Sequence, residues 1–183
     1  MKTSSSKRFT LIELLVVIAI IAILAGLVFP ALGTVRNNAK KSKANSECQS
    51  LKTAIIMYES EFSTWPVKIS GSKDAVVDGS NYIEMCKILT GKNSKKTVFY
   101  EVGVGYDEAK GILDPWGKPY QVILDVDYDG KIDNTIAAVK EVNAVNNRTG
   151  QDLRVKVAVY SFGDRDETNL NKLAQSKKLV ISW

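Results

Sequence analysis

The pattern of apolar positions divides the chain into three regimes. From Phe9 to Leu32 almost every residue is apolar, and Leu14 to Phe29 contains no polar side chain. A membrane-spanning helix needs roughly 17–25 mostly apolar residues, so this run is long enough to enter a bilayer as a helix. Beyond it the apolar positions turn periodic: Cys48, Leu51, Ile55, Tyr58 and Phe62 recur in steps of three and four, leaving Lys52, Glu59 and Glu61 to face elsewhere. That spacing is one face of an amphipathic helix. The first two regimes join into one predicted helix from Phe9 to about Phe62, on the order of 80 Å long at 1.5 Å per residue. Trp65-Pro66 is expected to end it, because proline disfavours helical geometry in the preceding residue.

The third regime is alternation. Tyr120 to Val126, then Leu153, Val155, Val157 and Val159, then Leu179 to Trp183 read as strands, and Thr97 to Val102 (TVFYEV) as a further one. Asn81 to Leu89 (NYIEMCKIL) reads as a short amphipathic helix, in a stretch punctuated by Gly71, Gly79 and Gly91. In Asp114 to Tyr120 (DPWGKPY), Pro115 and Gly117 set a turn and Pro119 starts the extended segment that follows. The predicted fold class is therefore α+β: a long N-terminal helix whose second half packs on a small antiparallel sheet. Trp183 either closes the core or makes a surface contact, with the core favoured because aromatic rings bury large area.

One acid changes the picture of the apolar run. Glu13 stands near its start, and an ionisable group at membrane depth is costly unless it finds a partner. A segment that merely anchored a domain would avoid it. Gly26 and Pro30 are the helix-weakening residues of the run. Proline lacks an N–H and crowds the carbonyl four residues back, so a kink or local melting belongs there; a passive kink of the kind membrane helices tolerate accounts for the pair equally well. Lys2, Lys7 and Arg8 precede the run and Arg36, Lys40, Lys41 and Lys43 follow it, so basic residues do not settle orientation.

Lys7-Arg8 followed by FTLIELLVVIAIIAILA resembles the prepilin signature of the type IV pilin superfamily, which includes the pseudopilins of type II secretion. DPWGKPY and the terminal Ile181-Ser182-Trp183 are similar to segments of the major pseudopilins. The resemblance implies a leader peptide at residues 1–8, a transmembrane and assembly helix at 9–32, and a periplasmic head at 33–183 that includes the second half of the long helix. It implies cleavage between Arg8 and Phe9 by a prepilin peptidase and N-methylation of Phe9, with Glu13 required for assembly through the Phe9 amine of a neighbour. The family usually carries glycine where Arg8 stands. The implied setting is the bacterial inner membrane, with the N-terminus cytoplasmic, followed by an extracytoplasmic homo-oligomeric filament. Implied partners are the lipid bilayer, an inner-membrane assembly platform and minor pilins.

Two clusters of acids suggest a hard cation. Asp125, Asp127, Asp129 and Asp133 occupy positions 1, 3, 5 and 9 of a loop built around Gly130, the arrangement by which a Ca²⁺ loop wraps its ion in oxygens. Position twelve is Ile136 rather than a bidentate acid, so the loop is partial. The alternative set is Asp164 and Asp166, near the place where the resemblance puts the family's own calcium loop; the glycine-rich stretch and acid expected before the last strand are replaced by Gln175 to Val180. An acidic hairpin turn whose aspartates face water explains the first cluster without any ion.

The remaining composition mostly excludes. A chain of 183 residues allows one modest head after the apolar run. The net charge of +5 is a mild excess near the apolar segment rather than a nucleic-acid stripe. There is no histidine, no nucleophile elbow, no phosphate-binding glycine loop and no CxxC, so no enzyme is expected. Cys48 and Cys86 either form one disulfide, as an extracytoplasmic compartment permits, or remain separate thiols. A competing reading is a secreted or membrane-tethered calcium-dependent binding domain. It uses the apolar run as a conventional signal cut after Ala31-Leu32-Gly33.

Overall fold

The structure is a computed structural model that describes residues 10–69, 73–103, 105–136, 138–140, 143, 150–163 and 180–181; of residues 27–31 and 180–181 it describes the backbone alone. A single helix, α1 (Leu11–Phe62), opens the chain and contributes to two compact units, Met1–Ala39 and Lys40–Trp183.

In the first unit α1 buries no large apolar side chain among the described residues. Leu11, Ile12, Leu14, Leu15, Ile18, Ile21 and Leu24 are all exposed, Leu11 to 89%. The helix continues through Gly26 and Pro30. Gly26 is exposed with nothing near it, whereas the Pro30 ring, and with it the expected kink, lies outside the described side chains. Among the described residues no helix is long and apolar enough to cross a membrane.

In the second unit α1 buries the face that its periodicity predicts. Ala44, Cys48, Leu51, Ala54, Ile55 and Tyr58 are buried, and Phe62 packs at the margin. The helix stops before Trp65-Pro66: Ser63 takes a left-handed conformation (φ 53°) and its N–H donates to the Glu59 carbonyl at 2.7 Å. A left-handed residue closing the last turn is a common helix C-terminus. Trp65 is thereby freed to turn inward, where its indole N–H donates to the Asp125 carbonyl at 2.9 Å.

The head carries β1 (Ala75–Val77), α2 (Gly79–Leu89), a small ribbon of β2 (Tyr106–Asp107) and β3 (Gly111–Ile112), and then β4 (Gln121–Leu124), β5 (Val157–Ser161) and β6 (Val180–Ile181). The main sheet has the order β1-β4-β5-β6 and is antiparallel throughout. Ala75 faces Leu124 and Gln121 faces Tyr160 in the ladder. Val122, Leu124, Val157 and Val159 join the core under α1, while Ile123, Ala158 and Tyr160 join a second cluster with Ile132, Val139 and Leu153. The sheet is therefore covered on both faces, which is why β5 is buried at every position.

Two expectations change. Thr97–Val102 is not a strand. The N–H groups of Phe99 and Tyr100 both donate to the Leu89 carbonyl, at 2.9 and 3.1 Å, folding the segment over the end of α2. Phe99 then meets Tyr58 edge-on at 5.4 Å, so the segment serves ring packing and not a ladder. The other change is β1, three residues too short for any pattern to reveal. Gly111 shows how closely α2 is seated: it has φ +83°, and a Cβ there would lie 2.8 Å from the Tyr82 ring and 2.9 Å from Cys86 Sγ. The described strand Val180–Ile181 falls within the predicted Leu179–Trp183; Trp183 itself lies outside the described residues.

Candidate functional site

The first turn of α1 is closed by its own side chains. Thr10 N–H and Thr10 Oγ1 both donate to Glu13 Oε2, at 2.8 and 2.9 Å, and Glu13 N–H donates back to Thr10 Oγ1 at 3.3 Å. This reciprocal pair is a capping box. It sets an acid against the positive end of the helix dipole and leaves Glu13 Oε1 without a hydrogen bond among the described residues. Arg8 and Phe9, the two residues of the implied cleavage, lie outside the described residues. Thr10 was legible as the first member of a T-x-x-E pattern before an apolar run.

The loop that follows β4 does not gather its four aspartates around one point. Asp129 and Asp133 turn to Lys131, at 3.6 and 3.4 Å, and Asp152 completes that group at 2.9 Å. Asp125 and Asp127 turn the other way, to Asp74. One carboxylate oxygen from each of Asp74, Asp125 and Asp127 lies within 4.8 Å of the others. The ladder explains the meeting: with Ala75 opposite Leu124, Asp74 and Asp125 leave the end of the same strand pair. Asp74 accepts from the N–H groups of Val126 (3.2 Å) and Asp133 (2.8 Å), and Asp125 Oδ2 accepts from Gly130 N–H at 2.9 Å. Asp125 Oδ1 is buried and has no hydrogen-bond partner among the described residues.

Burial is the main reason that the Asp125 carboxyl is raised above its ordinary value; the Gly130 N–H opposes the shift and Asp127 adds to it. Asp74 is likewise raised, first by burial and further by Asp127 and Asp125, against the two N–H groups that favour its ionised form. The alternative pair, Asp164 and Asp166, lies outside the described residues.

The DPWGKPY turn is more than a turn. Asp114 is buried, and its Oδ1 accepts from the N–H groups of Trp116 and Lys118, both at 2.9 Å. Its Oδ2 accepts from Ser161 Oγ at 2.5 Å, tying the turn to the end of β5. Cys48 and Cys86 are both buried and free. Burial pushes their thiols up to about 12 and about 11 respectively. A surface cleft of about 410 Å³ beside α2 contains Asp78 and Lys110, with no pair of acids across it.

Residues 9–29 match the family model described as the prokaryotic N-terminal methylation motif. The chain is 34% identical over 133 residues to the type II secretion system core protein G of Aeromonas hydrophila, covering 73% of this chain and 82% of that protein. It is 30% identical over 123 residues to the protein of the same name from Klebsiella michiganensis, covering 67% and 77%. A fimbrial protein of Moraxella nonliquefaciens is 36% identical over 98 residues, 54% of this chain and 57% of that one. No solved structure matches the chain. The methylation motif stands at the start of α1 and the relatives extend well into the head, so the chain belongs to the family of the type II secretion system core protein G.

Proposed function

We propose that the chain is a structural subunit, not an enzyme, of a type II secretion pseudopilus or a related type IV pilus-like filament. The observation that carries this reading is the matched methylation motif at residues 9–29, on a helix whose apolar side chains from Leu11 to Leu24 are exposed. Fully burying a Leu, Ile or Val side chain is worth about 1.5–3 kcal/mol. A row of them strongly favours any surroundings that exclude water, whether lipid or the packed helices of other subunits. The membrane holds the subunit before assembly, and the filament core replaces it afterwards.

Glu13 gives that greasy association a register. Cleavage between Arg8 and Phe9 by a prepilin peptidase exposes an amine, which is then N-methylated. The amine of one subunit's Phe9 reaches the Glu13 carboxylate of a neighbour, and Oε1 is left for it by the capping box on Oε2. The charge pair removes the penalty of an isolated acid in an apolar core and fixes the axial step. The head stays on the periplasmic side of the inner membrane and later coats the filament.

N-terminal sequencing of the mature protein, with mass determination, tests the reading. A chain beginning at N-methylated Phe9 is expected. A start near Thr34 would overturn it in favour of a conventionally exported binding domain, and an intact leader would show that Arg8 blocks processing.

A further inference from the structure

We propose that Asp74, Asp125 and Asp127 form a calcium site that clamps the start of β1 to the loop following β4. The site goes beyond the filament reading and does not depend on it. Three carboxylates lie within reach of one ion, and every donor is oxygen, the chemistry of a hard cation rather than of zinc or copper. Among the described residues no lysine or arginine pairs with any of the three. The nearby cation Lys131 is already committed to Asp129, Asp133 and Asp152. Three like charges held together without a counter-charge repel one another, and a divalent ion removes that repulsion.

The independent pointer is Asp125 Oδ1. Asp125 is 0% exposed, and this oxygen has no hydrogen-bond partner among the described residues. Buried polar atoms are nearly always satisfied, and an orphan calls for a ligand. Its sister oxygen is held by Gly130 N–H at 2.9 Å, and a carboxylate oxygen of Asp125 lies within 4.8 Å of one from each of Asp74 and Asp127. Three carboxylates do not fill the six to eight oxygen positions of calcium, which backbone carbonyls and water commonly complete. The flexible calcium shell suits such a mixed set better than the strict octahedron of magnesium.

The ion would order more than its own ligands. The Asp125 carbonyl receives the Trp65 indole N–H, and the Trp65 ring stacks on Tyr128 at 5.5 Å with an 11° tilt. Binding therefore fixes the segment just after α1, together with Tyr128, which adopts a left-handed φ of 59° within the loop.

The test is calcium titration of the full-length chain in detergent micelles, read by calorimetry, tryptophan fluorescence and Tm. One calcium is expected to bind, with a rise in Tm on the order of 5 °C when the ion exceeds its Kd about a hundredfold. Asp74→Asn and Asp127→Asn should each lower affinity at least tenfold on the order expected for losing a charged ligand, whereas Asp129→Asn and Asp133→Asn should leave it within about twofold. Asp127 is exposed, so its variant reports on the site even if a change at buried Asp125 prevents folding. Absence of binding by the wild-type chain overturns the site. So does loss in Asp129→Asn and Asp133→Asn with retention in Asp74→Asn, which would restore the contiguous loop. Loss confined to Asp164→Asn and Asp166→Asn, or equal affinity for Mg²⁺, also overturns it.

Discussion

The first turn of α1 and the end of the β1·β4 pair each hold a carboxylate beside apolar neighbours, and they satisfy it over very different distances along the chain. Glu13 is served by Thr10, three residues away, through bonds that any isolated helix could make. Asp125 is served by Gly130 on one oxygen, and its carboxylate lies beside that of Asp74, some fifty residues earlier. The local arrangement forms as soon as the helix nucleates and asks nothing of the head. The distant one exists only once the sheet has closed. A lesion at Glu13 should therefore be silent in the fold and loud in assembly, and a lesion in the head should show the reverse.

The strongest test of that separation is Glu13→Ala. Filaments should disappear from electron micrographs while a folded, membrane-held monomer remains with its melting temperature unchanged; normal filaments would end the proposed pairing with Phe9. Gly111→Ala should behave oppositely. A left-handed backbone disfavours a side chain by about 1–2 kcal/mol, and overpacking against Tyr82 and Cys86 adds about 1–3 kcal/mol. A loss of stability near the sum is expected in urea denaturation, and a neutral result would mean that α2 is loosely seated.

Thiol chemistry probes the same packing. With Cys48 and Cys86 raised from 9.0 to about 12 and about 11, labelling by an alkylating reagent at pH 8 should run at least about a hundredfold slower in the native chain than in the denatured one. Fast native labelling would place a thiol at the surface. Asp114→Ala mixes the two styles of support, because Asp114 serves Trp116 and Lys118 locally and Ser161 at a distance. Leaving those donors unpaired should cost about 1–3 kcal/mol, and Ser161→Ala should cost less. Equal costs would mean that the long-range bond carries the turn.

The smallest effect is expected at Lys131. Its amine holds the half-buried Asp152 carboxyl below its ordinary value, mainly through their hydrogen bond, with Asn134 N–H assisting. A carboxylate lowered in the folded state contributes stability that is present above its unfolded value and lost as pH falls through the folded value. Lys131→Met should thus lower stability slightly at neutral pH, approach the parent as acid protonates Asp152, and matter less in high salt. A difference that persists in strong acid would point to packing instead of charge.

The helical part of the molecule was largely legible in the order of residues. The face Cys48, Leu51, Ile55 and Tyr58 follows from a 3.6-residue period that holds wherever the helix forms, and α2 begins at Gly79, two residues before its apolar pattern. The expected sheet strands survive in β4, β5 and β6, although β5 starts at Val157 because Leu153 bridges to Ile132 instead. Thr97–Val102 misled because its partly buried residues are the adjacent rings Phe99 and Tyr100, folded over the end of α2, while Val98 and Val102 are exposed. Cys48 and Cys86 were open between disulfide and free thiols, and both are free.

The site divides along the same line. Sequence alone determined the apolar run with its single acid, the motif at its start, and the placing of Asp125 and Asp127 two residues apart in one acidic loop. Those features rest on contacts between near neighbours, which spacing encodes directly. Only the tertiary structure decided that Asp129 and Asp133 belong to Lys131 and that Asp74 completes the other group. That outcome depends on strand register, where a shift of one residue exchanges every neighbour across the ladder. No local pattern around Asp74 carries that information, because β1 acquires its partner only when β4 lies beside it.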